Sequence, residues 1–342
     1  MTAGSVTEKT TSQDFAGRVA GAVSRQRELS LALGMLVLAA FVAVQAPHFL
    51  DPSNLKQVAV LAAIIAIAAV GEAMVIITRN VDLSVESIIG LVAFTVANIL
   101  AIHAMSAPAA MVFGVGLGLV LGVINGLIVA GLRVPAIVAT LGTLSIYRGI
   151  DFVLAGGHQV SLPDLPPDYT DPAVATILGI PLFVWIALIV VVVAATILRQ
   201  TRSGRQVYAV GSNPEAAVVA GLRSRLIVFV VFAACGLLAG LAGVLWGIEF
   251  GTINATAANG VSLQVIAAVV VGGVAIFGGS GSVVGAALGA IFLGFISNAL
   301  ILLNLSQFWL EAIYGAVILA AVAADAVLLR RLQASLAERR AR

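Results

Sequence analysis

Apolar residues gather into ten long runs, at 30–46, 57–78, 84–103, 110–131, 135–155, 179–198, 226–247, 263–277, 283–302 and 309–329. An α-helix rises about 1.5 Å per residue, so roughly 20 apolar residues cross the hydrocarbon layer of a bilayer. The eighth run is short by that measure. Glycine and proline inside such runs are tolerable, because neighbouring helices satisfy the backbone groups they free. The pattern predicts an all-α polytopic membrane protein with about ten transmembrane helices. A tail at 1–29 precedes the transmembrane domain at 30–329, and a basic tail at 330–342 follows it.

Composition supports lipid as the solvent. Hydrophobic residues make up 61% of the 342 and charged residues 10%, where a soluble domain carries about a quarter charged. Apolar area beyond a core would have to face water. Cys235, the single cysteine, lies in an apolar run, which excludes an internal disulfide and a thiolate zinc cluster; it reads as a small buried hydrophobe. Met1 to Leu29 is polar and lacks the short apolar core of a removable signal peptide. It reads as a cytoplasmic tail whose last part, Val19 to Leu29, lies on the membrane surface as a basic helix.

The positions of the basic residues set an orientation. With the N-terminus cytoplasmic, ten crossings place Lys9, Arg18, Arg25, Arg27, Arg79 and Arg133 inside. The same side receives Arg199, Arg202, Arg205, Arg223 and Arg225 in one loop, and Arg330, Arg331, Arg339, Arg340 and Arg342 at the end. Of the 18 basic residues, that leaves Lys56 outside and Arg148 in the membrane. The loop from Gly156 to Leu178 carries Asp164, Asp168 and Asp171 and no basic residue. This is the positive-inside pattern, and a wrong segment count would have scrambled it.

Gly114, Gly116, Gly118 and Gly122, and later Gly285, Gly289 and Gly294, offer smooth helix faces for close approach in lipid, or alternatively a gating role. Val75–Gly90 and Val269–Gly285 share a design: an apolar segment, a polar or glycine-rich break, then Ser-Val opening the next helix.

No catalytic chemistry is evident. The chain has no G-x-x-x-x-G-K-[ST] loop, H-E-x-x-H or G-x-S-x-G motif, and its lysines, Lys9 and Lys56, lie outside any glycine-rich context. The Gly278–Ser282 turn lacks a lysine and reads as a connection between helices. His48, His103 and His158 all fall near outer helix ends. No cofactor, metal or nucleic acid is expected.

The loop at 199–225 is the most informative segment. Asn213 suits an N-cap, Pro214 the first helical position, and Glu215 the first turn, where a negative charge complements the helix dipole. Ala216, Ala217 and Ala220 form a small, smooth face, and Gly221 terminates the helix. A short helix beneath the membrane, flanked by arginines, is suited to docking a partner; an ordinary capped loop helix has the same local chemistry.

Glu215-Ala216-Ala217-x-x-x-Gly221 resembles the EAA-x-x-x-G loop of ABC-importer permeases. Thr78-Arg79-Asn80-Val81-Asp82-Leu83-Ser84-Val85, the segment Val134 to Leu144 with Arg148-Gly149, Ile266 to Gly273, and Phe277 to Ser282 resemble, in order, further signatures of the ribose-type branch. That branch includes permeases for ribose, arabinose, xylose, rhamnose and autoinducer-2, and the wording around Thr78 and Thr140 leans toward the last two. The resemblance runs from about Leu50 to Asp325. Glu86 departs from it, standing where glycine is usual, as does Gln264, where glutamate is common.

The resemblance implies a permease that imports a monosaccharide-like solute without hydrolysing ATP itself. Implied partners are cytoplasmic ABC ATPase subunits, a periplasmic or lipid-anchored sugar-binding protein, and a second protomer, identical or paralogous. Asn213, Pro214, Glu215, Ala216, Ala217 and Gly221 would couple it to the ATPase. Polar residues in the apolar runs are candidates for the translocation path or gate, because ionisable groups at membrane depth usually face protein or water. Arg148 and Asp151 form either a mutually neutralising pair or a solute contact. Asp82 reads as a cap of the third helix at the cytoplasmic surface, and Glu72 as either pore-facing or paired with an unidentified partner. Asn125, Thr140, Thr143 and Asn298 complete the set, although a hydroxyl bonding its own helix explains each threonine equally well. The alternative is an ion-coupled secondary carrier, which would draw its midplane groups from Glu72, Arg148 and Asp151.

Overall fold

The computed structural model describes residues 31–320, 322 and 323. The expected tails at 1–29 and 330–342, and the end of the tenth run, lie outside the described residues. Each of the ten runs forms a helix. The helices are α1 (Leu31–Gln45), α2 (Pro52–Ile77), α3 (Val85–Ala101), α4 (Ala107–Gly126, extended by a π turn, Leu127–Gly131) and α5 (Ala136–Ala155). A one-turn helix, α6 (Pro167–Thr170), and a ribbon of β1 (Thr176–Ile177) and β2 (Ile180–Pro181) precede α7 (Leu182–Gln200). Then come α8 (Arg202–Ser212), α9 (Pro214–Val219), α10 (Ser224–Phe250), α11 (Val261–Val271), α12 (Val283–Leu302) and α13 (Trp309–Ala320).

The chain is an all-α polytopic membrane protein. Six helices, α2, α4 with its π turn, α5, α7, α10 and α12, are long and apolar enough to cross a membrane. The runs at 30–46, 84–103, 263–277 and 309–329 give shorter apolar helices among the described residues. α11 has 11 residues, or about 16 Å of rise against a hydrocarbon core of roughly 30 Å. The rest of its run, after Val271, folds as a glycine-rich turn rather than continuing as helix. α3 has 17 residues and starts inside the bundle, as the hydrogen bonds of Asp82 and Ser84 described below place it.

α2 is the central pillar, with 89% of its most apolar window buried, whereas α7 at the periphery buries 22%. The small side chains of α2 explain this: Ala62, Ala66, Ala69, Gly71 and Ala73 let helices approach from several sides. α4 meets α10 glycine against glycine. A Cβ placed on Gly122 would lie 2.6 Å from the Phe232 carbonyl oxygen and 2.7 Å from the Gly236 Cα. Gly116, on the same helix, faces open space. Part of the glycine stripe is therefore a packing seam and part is not.

The acidic loop after α5 is structured. Asp164 accepts from the Ser161 amide at 3.0 Å, Val160 bridges to Ile253, and Tyr169 is fully buried with its hydroxyl 3.3 Å from the Val244 carbonyl.

Candidate functional site

Three polar regions stand out, one at each end of the bundle and one inside it.

At one end, Thr201 caps α8 by accepting from the Gly204 amide at 3.0 Å. α8 buries Val207 and Val210 and exposes its arginines Arg202 and Arg205. The sequence reading missed this helix, although a Thr cap and valines three apart could have flagged it. α9 follows as expected. Asn213 Oδ1 accepts from the Ala216 amide at 3.0 Å, and Pro214 occupies the first position. Gly221, at φ +78°, closes the helix, its amide bonded to the Val218 carbonyl and that of Leu222 to the Ala217 carbonyl, both at 3.0 Å. These are the two bonds of a Schellman motif, which needs a left-handed residue at this place. The outer face differs from expectation. Ala217 turns inward and is buried, while Glu215, Ala216, Val218, Val219 and Ala220 are exposed.

α9 is not a free appendage. The Arg79 guanidinium, at the end of α2, donates through Nε to the Gly211 carbonyl and through Nη2 to the Ser212 carbonyl at 2.7 Å. Gly279 donates its amide to Ile77 O at 2.9 Å and accepts from the Ser212 hydroxyl at 3.2 Å. A Cβ on Gly279 would lie 2.6 Å from the Ser212 Cα, which is why glycine sits there. Tyr208 bonds the Gly281 carbonyl at 3.0 Å. Burial pushes the Tyr208 phenol up, and Arg199 pulls it the other way. The Gly278–Ser282 turn thus connects α11 to α12 and also joins the end of α2 to the α8–α9 junction.

The interior holds a second polar group. Glu72 and Asp82 are both buried. Glu72 Oε1 accepts from the Asp82 amide at 3.1 Å, and Cys235 Sγ lies 3.9 Å from its other oxygen. Asp82 accepts from the Ser84 amide at 2.9 Å, the Ser84 hydroxyl at 2.6 Å and Asn125 Nδ2 at 3.2 Å. The Tyr147 hydroxyl lies 3.2 Å from Asn125 Oδ1. Asp82 is therefore buried at the approach to α3, where it holds Ser84 and Asn125. Glu72 has its partner in the returning chain, a contact that the sequence alone did not identify.

α3 and α11 begin side by side. Glu86 Oε2 accepts from the Ser262 amide at 3.2 Å, and Ser262 Oγ accepts from the Glu86 amide at 3.3 Å while bonding the Leu83 carbonyl at 2.8 Å. Each residue caps the other's helix, and the carboxylate lies where both helix dipoles favour negative charge. Arg148 faces this junction. Its Nη1 donates to the Ala255 and Ala257 carbonyls at 3.0 and 2.8 Å, with Asp151 at 3.7 Å and Glu86 at 4.0 Å. The expected Arg148–Asp151 pair is present, and Glu86, noted only as a departure, is its third member. Thr140 and Thr143 are buried and bond the Ala136 and Thr140 carbonyls of their own helix, at 2.8 and 3.3 Å.

At the end away from α9 lies a cavity of about 660 Å³, walled by the first turns of α2, the ends of α10 and α12, and the starts of α11 and α13. Of the polar residues singled out in the sequence for the path, Asn298 alone lines it. Asn298 exchanges two amide hydrogen bonds with Asn54, at 2.8 and 2.9 Å. Among the described residues no group of three or more His, Cys, Asp or Glu is arranged to hold a metal ion.

A family model described as "Branched-chain amino acid transport system / permease component" matches residues 54–322. The chain is 37% identical over 303 residues to the "Autoinducer 2 import system permease protein LsrC" of Escherichia coli O157:H7, covering 89% of this chain and 88% of the relative. It is 35% identical over 314 residues to the protein of the same name from Salmonella typhi, covering 92% and 90%. The identity is also 35%, over 304 residues, to that from Yersinia pseudotuberculosis serotype O:1b, covering 89% and 86%. No solved structure matches the chain.

Proposed function

The chain belongs to the family of branched-chain amino acid transport system permease components, and from that premise we propose that it imports a sugar-like solute, autoinducer 2 or a chemical relative. A permease component is the membrane part of a transport system, and the hydrolysis of ATP lies in a partner subunit. The family model's description names branched-chain amino acids and the relatives' names specify autoinducer 2, so family membership alone leaves the solute open. The ribose-type motifs and the polar, uncharged groups of the large cavity favour the sugar-like reading.

In this reading α9 is the contact for the ATPase and faces the cytoplasm. The arginines at 79, 133, 199, 202, 205, 223 and 225 all belong to connections at that end, as the positive-inside rule requires. The observation that carries the proposal is the Arg79 clamp. Motion imposed on α9 is passed through the Gly211 and Ser212 carbonyls to the end of α2, and through Gly279 to the α11–α12 turn. The carrier needs a second permease protomer, identical or paralogous, and a binding protein that delivers solute to the opposite end.

The test is ATP-driven uptake of autoinducer 2 by the complete transporter in proteoliposomes, beside ATP hydrolysis. Glu215→Ala and Gly221→Val should leave the permease folded but separate hydrolysis from uptake. Parental coupling in both variants would overturn the role of α9. Uptake driven by a proton or sodium gradient without ATP would favour the carrier alternative. Of the groups that alternative would use, Glu72 and Asp151 are buried and Arg148 donates to the Ala255 and Ala257 carbonyls.

A further inference from the structure

We infer that the ribbon of β1 and β2 is a membrane anchor, whose tip, Leu178, enters the lipid leaflet at the end away from α9. The inference goes beyond the proposed function and holds whatever solute the chain carries.

The first argument is the residue at the turn. Ile177 pairs with Ile180, so Leu178 and Gly179 form a two-residue hairpin loop. Their φ angles are +53° and +78°. Positive φ at both positions is the type I′ pattern, in which asparagine, aspartate or glycine usually comes first. Leucine is strained there, because its Cβ crowds the backbone. Packing within the chain does not explain it, since the Leu178 side chain is 89% exposed. Val174 is 82% exposed and Ile177 50%, so the whole tip is an apolar patch. Such a patch marks contact with a membrane or a protein.

What the ribbon joins favours lipid. It runs into α7, which buries the least of the six long helices, 22% of its most apolar window. The Leu182 amide donates to the Ala175 carbonyl at 2.9 Å, and the Trp185 indole to the Ile177 carbonyl at 3.1 Å. These bonds satisfy carbonyls that lipid would leave unpaired, and tryptophan suits the boundary between hydrocarbon and water. No charged residue lies between Asp171 and Arg199.

Length agrees. α7 has 19 residues, the last two being Arg199 and Gln200. The 17 before them rise about 26 Å, against roughly 30 Å of hydrocarbon. With Arg199 at one boundary, α7 stops short of the other, and the uncharged ribbon fills the shortfall.

The test places a nitroxide at Leu178→Cys, Leu188→Cys or Asp168→Cys of the full-length chain in lipid nanodiscs. Power saturation then compares access of oxygen with that of a water-soluble nickel chelate. Cys235 is buried and does not compete for the label. Leu188, exposed on α7, and Asp168, exposed in the acidic loop, set the lipid and water limits. The label at position 178 should be reached by oxygen more than by nickel, as at 188 and unlike 168. Nickel access equal to that at 168 would put the tip in water and overturn the inference. Access by neither reagent would put a protein over the tip, a second copy included, and would overturn it too. A label at Ile177→Cys keeps the test valid if the label at 178 distorts the turn. It should read as lipid in the parent and move toward water when Leu178→Asp is added, because a carboxylate resists leaving water. An unchanged reading at 177 with Leu178→Asp present would refute the anchoring role.

Discussion

Glu86 and Ser262, 176 residues apart in the chain, cap each other's helices, so the two short helices α3 and α11 start from one shared junction. Arg148 completes that junction with its guanidinium against Glu86 and Asp151. Removing one member of a buried charge set leaves the others uncompensated, at a typical cost of about 3–5 kcal/mol. Arg148→Met should therefore lower the unfolding temperature in detergent markedly. The triple variant Arg148→Met, Asp151→Leu, Glu86→Gln should recover much of that loss, because no charge is then stranded. A triple variant as unstable as the single one would refute the account.

The Arg79 clamp makes a sharper prediction about coupling. The two hydrogen bonds to the carbonyls of Gly211 and Ser212 use the forked geometry of guanidinium, which an ammonium group cannot reproduce. Arg79→Lys keeps the charge and should still lose most ATP-driven uptake, with hydrolysis by the partner subunit continuing. If Arg79→Lys transports like the parent, charge alone suffices and the clamp is not the transmission point.

The glycines of α4 should separate into two classes. Gly122→Val forces side-chain atoms into the α10 backbone and should destabilise by about 1–3 kcal/mol or more. Gly116→Ala meets nothing within 4 Å and should be neutral or stabilising by up to about 1 kcal/mol, since alanine loses less backbone entropy. Thermal unfolding of the two variants side by side measures the contrast.

Tyr208 gives a pH dependence. Burial raises its phenol pKa above the ordinary value of 10.0, so the folded chain holds the proton more tightly than the unfolded one. The stabilisation is complete below the unfolded pKa and is lost as pH rises through the folded one. Tyr208→Phe removes the bond to Gly281, worth about 1 kcal/mol at neutral pH, and should flatten part of the alkaline loss. Unfolding temperatures from neutral to alkaline pH, in parent and variant, test this; parallel curves would exclude the titration.

Much of this protein was legible in the linear order of its residues. The ten apolar runs, the capped Asn213–Gly221 helix, the Ser-Val starts at Ser84-Val85 and Ser282-Val283, and the Arg148–Asp151 pair all follow from spacing within a turn or two. The set of contacts that gives those elements a purpose was not. Asp82 returns into the bundle to meet Glu72 and Asn125, and Arg79 reaches carbonyls 132 and 133 residues away. Gln57 and Gln264 share a wall although two hundred residues separate them.

The amino-acid sequence by itself determined the solvent, the helices and the short capped helix at Asn213–Gly221, because hydropathy, caps and helical periodicity act over a few residues. Packing in three dimensions decided which runs form only short helices, which charges come together and where a cavity remains. Those outcomes depend on which helix faces meet, and the small residues that permit close approach do not say which partner will make it.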